Sequence, residues 1–104
     1  MGWGLRPKSK KRLDEEAERE RVKREVRTRD GNECCVRARR LQTGVRCSGP
    51  KDVHEIIPRS AWKAGYLVPD NCIVICRAHH DWVDHNPDDA HDLGLHGYSW
   101  ERPS

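Results

Sequence analysis

Asp52-Val-His-Glu-Ile-Ile-Pro-Arg-Ser60, then Asp70-Asn-Cys-Ile-Val-Ile-Cys76, then Arg77-Ala-His-His-Asp-Trp-Val-Asp-His85 carry the strongest structural pattern in the chain. Val53, Ile56 and Ile57, and later Ile73, Val74 and Ile75, make two short β-prone runs with polar residues at their ends. The residues after Cys76 suit a helix that opens directly behind the second run. The order is strand, long turn, strand, helix. Such a unit gathers His54, Glu55, Asn71 and His80, with Asp84 or His85, around one small cleft that suits a divalent metal.

The remaining thiols point to a second, structural metal. The chain has 104 residues, 35% of them hydrophobic, and no Phe. Once its charged opening is set aside, about 75 residues are left to fold, which is a thin core that needs a staple. Five cysteines, an odd number, in a chain whose opening lacks the apolar core of a signal peptide suggest metal thiolates in a reducing compartment. Cys76-x2-His79 has the spacing of half a zinc site, and Cys34 with Cys47 completes a Cys3His tetrahedron. Cys35 competes with Cys34 for that place, and Cys72 reads as a small buried side chain on the second strand. No stretch approaches the roughly 20 apolar residues of a membrane span.

Charge is distributed unevenly. Residues 6 to 29 hold 11 Lys or Arg against 6 acids, residues 30 to 78 hold 8 against 5, and residues 79 to 104 hold one Arg against 6 acids. A basic arm and a basic middle suit a polyanion, met through phosphate contacts. Met1 to Arg12 reads as flexible. Leu13 to Arg27 reads as a helix, supported by four-apart pairs such as Glu15 with Arg19 and Glu20 with Arg24, and only its second half is apolar enough to dock. Arg29-Asp-Gly-Asn32 is a turn signal, and Arg37, Arg39, Arg40 and Arg46 make a basic loop or loose hairpin before Cys47. Asn86-Pro87 opens a short helix to Leu93, after which Leu95, Tyr98 and Trp100, with Trp62, Tyr66 and Trp82, close over the domain.

These pieces in this order resemble the HNH endonucleases, and more narrowly their small phage-type members. The resemblance spans residues 27 to 95: Arg29-Asp-Gly-x2-Cys34, Cys47-Ser-Gly, Asp52-Val-His-Glu-Ile-Ile-Pro-Arg-Ser60, Asp70-Asn-Cys-Ile-Val-Ile-Cys-Arg-Ala-His-His80-Asp-Trp-Val, and Asn86-Pro-x2-Ala90-x2-Leu93-Gly-Leu95. It implies an α+β, zinc-stapled ββα-metal (His-Me finger) domain at residues 27–95. A basic helical arm at 1–26 precedes it, and a tail at 96–104 packs on it. The family's metal-ligand positions fall on His54 and His80, its Asn on Asn71, and its general-base position on Glu55, where relatives usually have His. A carboxylate with an unperturbed pKa near 4.3 accepts protons less readily at neutral pH than an imidazole near 6.5. Asp84, four residues after His80, is a candidate third ligand. His79 stands where relatives usually have a structural Cys.

The implied activity is divalent-metal-dependent hydrolysis of DNA phosphodiesters, with structural zinc and one catalytic Mg2+, Mn2+, Ni2+ or Zn2+. Arg59, Lys63 and Arg77, with Arg37, Arg39 and Arg40, are the expected phosphate contacts, and the Asn71 amide is expected to fix the 58–70 turn. The implied setting is the cytoplasm of an infected or lysogenic bacterium, with DNA as partner and a phage terminase subunit as a second. Two other classes stay open: a DNA-binding module with a degenerate site, and a zinc-stabilised protein-interaction domain.

Overall fold

β1 (Lys51–Glu55) and β2 (Cys72–Cys76) pair antiparallel, with Lys51 opposite Cys76 and Glu55 opposite Cys72. They form the only sheet among residues 9–103, the part of the chain that the computed structural model describes. Around them lie α1 (Lys10–Arg29), α2 (Cys35–Ala38), α3 (Arg77–His85) and α4 (Pro87–Asp92), a small α+β arrangement. Side chains alternate along a strand. Val53, Cys72 and Val74 therefore face α1, whereas Asp52, His54, Ile73 and Ile75 face α3 and α4.

The α1 face is closed by Val22 and Val26, which pack on Val53, Cys72 and Val74. The helix begins at Lys10, capped by the Ser9 hydroxyl, which accepts from the Arg12 backbone at 3.2 Å. Lys10 to Arg12 are thus helical rather than flexible; Met1 to Lys8, the rest of that expected flexible opening, lie outside the described residues. The helix runs without a break through the boundary expected between residues 26 and 27, because arginines bind it to the sheet. Arg19 donates to the Val53 carbonyl at 3.4 Å, Arg27 to Lys51 at 3.2 Å and Arg29 to Cys72 at 2.6 Å, so strand-edge carbonyls that a two-stranded sheet leaves open are covered. Arg19 thereby turns inward instead of pairing with Glu15 along the helix, and Glu15 accepts from the Tyr66 hydroxyl.

On the other face, Val83, Ala90 and Leu95 pack with Ile73, Ile75 and Val36. The first backbone N–H groups of α3 have no partner in the helix. Arg77 N donates instead to Pro50 O at 2.8 Å and Ala78 N to Ser48 O at 3.1 Å, so the 48–50 loop caps the helix. Gly49, at φ +83°, crosses so close to Arg77 that a Cβ would lie 2.9 Å from the Arg77 Cβ.

The long turn between the strands is held from inside by Asn71. Its Oδ1 accepts from Ile57 N at 2.9 Å, and its Nδ2 donates to Ile57 O at 3.0 Å and Gly65 O at 3.2 Å. Gly65 is required there, since a Cβ would meet the Asn71 Nδ2 at 2.7 Å. Leu95 is fully buried, but Trp100 does not close over the domain: it is 77% exposed and stacks on Tyr98 with ring centroids 4.8 Å apart. No helix among the described residues is long and apolar enough to cross a membrane.

Val26 is fully buried, whereas Leu13 is 51% exposed. Val26→Ala is therefore expected to lower unfolding stability by about 2 kcal/mol, and Leu13→Ala by less than about 0.5 kcal/mol, in urea titrations of the zinc-loaded protein.

Candidate metal centre and the groove beside it

Four side chains from four segments converge below the sheet: Cys34 ahead of α2, Cys47 in the following loop, Cys76 at the end of β2 and His79 in the first turn of α3. Their donor atoms all lie within 4.8 Å of one another. The sulfurs of Cys76, Cys47 and Cys34 stand 3.2, 3.6 and 3.9 Å from His79 Nδ1. Tetrahedral zinc, with sulfur at about 2.3 Å and nitrogen at about 2.0 Å, places S and N roughly 3.5 Å apart. The cluster has the spacing of a closed Cys3His site and could hold a structural ion such as zinc.

Its surroundings favour the ligand form of His79 and Cys76, while burial, with Cys34 and Cys76 alongside, pushes the Cys47 thiol up to about 12. The Thr43 hydroxyl donates to Val45 O at 3.2 Å, so it accepts from His79 Nε2 at 2.8 Å. The Nε2 proton leaves the Nδ1 lone pair directed at the sulfurs, the outer-shell support that metal-bound imidazoles need. Burial pushes the Cys76 thiol up, but backbone hydrogen bonds at His79 and Ser48, together with the His79 and Cys34 side chains, outweigh this and bring it down to about 7. Cys35 stays out of the cluster. It is buried in the core, and burial, with Cys34 alongside, pushes its thiol up to about 12, far from the thiolate form. Cys72 packs under α1.

A second group of residues lies along the outer edge of β1. A groove of about 570 Å3 runs there, with Arg19, Lys23 and Arg27 of α1 as one wall, Arg77, His80, Asp81 and Asp84 of α3 as the other, and Arg59 from the turn. Asp52 and Val53 form its floor. His54 and His80 sit edge to face with ring centroids 5.0 Å apart. His54 is buried, and its Nε2 donates to the Leu95 carbonyl at 2.8 Å, which leaves Nδ1 as the free lone pair of a neutral ring. Burial above all holds its pKa below the ordinary value, so it is neutral at pH 7. His80 Nδ1 donates to Asp52 at 3.1 Å, which frees Nε2 in the same way. Asp52 is lowered to about 2, chiefly by its two-pronged hydrogen bonds from Arg77 at 2.7 and 2.9 Å, against the opposing effect of burial and with a further contribution from His80.

The sequence-expected residues divide accordingly. His54 and His80 meet. Glu55 does not join them, because its neighbouring place on the strand turns it to the α1 face, where Arg19 holds it at 3.3 Å. Asp84 is exposed and does not complete a set of three donors with His54 and His80 within 4.8 Å; among the described residues the Cys3His group alone meets that condition. His85 is exposed, with Nδ1 bonded to Asp81 O at 2.7 Å. Asn71 lies in the turn, away from the groove. Arg59 and Arg77 line the groove; Lys63, Arg37, Arg39 and Arg40 do not.

Sequence reasoning missed Asp52, Arg19 and Thr43 as participants. Asp52 was legible, since two residues before His54 on a strand means the same face; Arg19 and Thr43 carry no local signal. Comparison of the chain with protein-family models, curated proteins and solved structures finds no match.

The purified chain is expected to hold one zinc. Cys47→Ala should lose it and unfold, Cys35→Ala should keep it, and Thr43→Val should weaken zinc by about 10- to 100-fold in competition with a chromogenic chelator.

Proposed function

We propose that this chain is an HNH-type DNA endonuclease or nickase built on a zinc-stapled ββα-metal unit. The observation that supports this most is the pair of adjacent imidazoles, His54 and His80, each fixed through one ring nitrogen, with His80 opening on a groove rimmed with arginine and lysine. β1, β2 and α3, in that order, supply the ββα unit.

The donor set fits a divalent ion: His54 Nδ1 and His80 Nε2 would hold it, with remaining positions for water and substrate oxygens. Mg2+, Mn2+, Ni2+ or Zn2+ bound there would act as a Lewis acid on the scissile phosphate. Asp52 orients His80, and the Leu95 carbonyl orients His54. Five cationic side chains along the groove, Arg19, Lys23, Arg27, Arg59 and Arg77, suit the phosphates on either side of the cleavage point. Asn71 keeps the turn after β1 in place without touching substrate. The proposal gives Glu55 no proton-transfer role, since its carboxylate is engaged by Arg19 on the other face. A phage DNA substrate met beside a terminase subunit during packaging rests on the resemblance alone.

A second reading, a DNA-binding module that does not cleave, is favoured by one observation: among the described residues no third protein donor stands with the two histidines. Nicking of supercoiled plasmid by zinc-loaded protein separates the two. Cleavage should require an added divalent ion, and His54→Ala and His80→Ala should each lower it at least about 100-fold while folded and zinc-bound. Glu55→Gln should stay within about tenfold of the parent chain. Folded parent protein that binds DNA but nicks with none of these metals would leave the binding module. In DNA-binding titrations, Arg59→Ala should reduce the slope of log K against log salt by about 1.

A further inference from the structure

A second positive surface surrounds the metal cluster. Residues 34 to 51 hold five Lys or Arg and no acid, and all five, Arg37, Arg39, Arg40, Arg46 and Lys51, are exposed. Arg37 and Lys51 line a cleft of about 500 Å3 beside the cluster, where Glu33 is the one acid. Among the described residues the side chains of Arg37, Arg40, Arg46 and Lys51 make no hydrogen bond or ion pair, unlike Arg19, Arg27 and Arg77 in the groove.

Arg40 stands in the left-handed region, at φ +55°. It lies just past the end of α2, where Arg40 N donates to Arg37 O at 3.1 Å and Leu41 N to Val36 O at 2.9 Å, and Leu41 packs on the core. Glycine ordinarily fills that place in such a closing turn, because a Cβ is crowded there. An arginine held there in spite of that cost, with no acid paired to it, marks the turn as a contact for an anion outside the chain.

The cleft joins the groove on both walls. Arg27, on one wall of the groove, donates to Lys51 O at 3.2 Å and to Asn32 Oδ1 at 2.8 Å, and Lys51 and Asn32 both line the cleft. On the other wall Gly49, which also lines the cleft, lies against Arg77. We propose that the DNA path continues from the groove, past Arg27 and Lys51, into this cleft, so that Lys51, Arg37 and Arg40 hold backbone phosphates away from the cleavage point. The extension rests on the reading of the groove as a DNA path. DNA is the occupant favoured because these cations continue the line of those in the groove, and a strand carries a charge at every nucleotide to meet each in turn.

Binding of the zinc-loaded full chain to a fluorescent duplex of roughly 20 base pairs, titrated at several salt concentrations, tests it. Arg37→Ala, Lys51→Ala and Arg40→Gly should each weaken binding about three- to tenfold and lower the slope of log K against log salt by about 1, the effect of one lost phosphate contact. Arg37→Ala and Arg40→Gly together should lower it by about 2. Arg40→Gly should at the same time raise stability in urea, since glycine relieves the turn, a combination that a purely structural role for Arg40 would not produce. All three variants should hold zinc against a chromogenic chelator as the parent does. Unchanged slopes in these variants while Arg59→Ala lowers its own would confine DNA to the groove and overturn the proposal. Loss of zinc in place of DNA affinity would also overturn it, since Arg37 and Lys51 would then serve the thiolates. Slopes that fall as predicted in a chain that never nicks would overturn the nuclease reading and leave this one standing, whereas a parent chain that binds no DNA would overturn both.

Discussion

Three sulfurs and one imidazole brought within 4.8 Å of one another set the constraint on which the rest of the arrangement depends. Thiolates so close would repel without a cation among them, and a metal held there would answer that repulsion while tying four separate segments together. The core beneath is small: short aliphatic side chains and cysteines, with a two-stranded sheet that could not stand alone. Cys76 closes β2 and His79 opens α3, so the cluster fixes how that helix leaves the sheet. His80 is the next residue, turned about a hundred degrees around the helix axis. The residue that faces the metal cluster thus determines where its neighbour stands opposite His54.

The groove follows from strand geometry and from the arginines of α1. Because side chains alternate, Asp52 and His54 share one face of β1 while Val53 and Glu55 share the other, and the unpaired strand edge is where residues from both faces can be approached. α1 covers the Val53 face with two valines and places Arg19, Lys23 and Arg27 along the edge. Its guanidinium groups therefore both hold the sheet and give the groove its positive rim. The pairing of Asp52 with Arg77 and His80 makes the floor acidic only in part, leaving five cations against Asp52, Asp81 and Asp84.

Much of this was legible in the residues. The β-branched runs around Val53 and Val74, the helix behind Cys76, and the Cys-x2-His spacing depend on local pattern; β2 and α3 lie where that pattern puts them, whereas β1 ends at Glu55 and leaves Ile56 and Ile57 in the bend that follows. Choosing Cys34 over Cys35 was not legible, since adjacent thiols differ only in which way the backbone turns them at the start of α2. The basic cluster that follows Gly2, Gly4 and Pro7 reads as flexible up to Arg12, yet the Ser9 cap and charged helix formers start α1 at Lys10. The resemblance puts the general-base position on Glu55, but its place next to His54 on a strand turns it to the opposite face. Size alone suggests the core for Trp100, whereas the single-turn segment that carries it leaves its ring outside.

We propose that one chain provides two metal positions with separate duties, a closed Cys3His cluster and an open pair of histidines. The most direct measurement is a titration of the zinc-loaded protein with Mn2+, followed through paramagnetic broadening of the histidine ring signals. Selective broadening of His54 and His80 at the lowest Mn2+ levels, with His91 and His96 unaffected and zinc retained, is the predicted result. Broadening that is uniform over the exposed histidines, or Mn2+ uptake only as zinc is released, would contradict it.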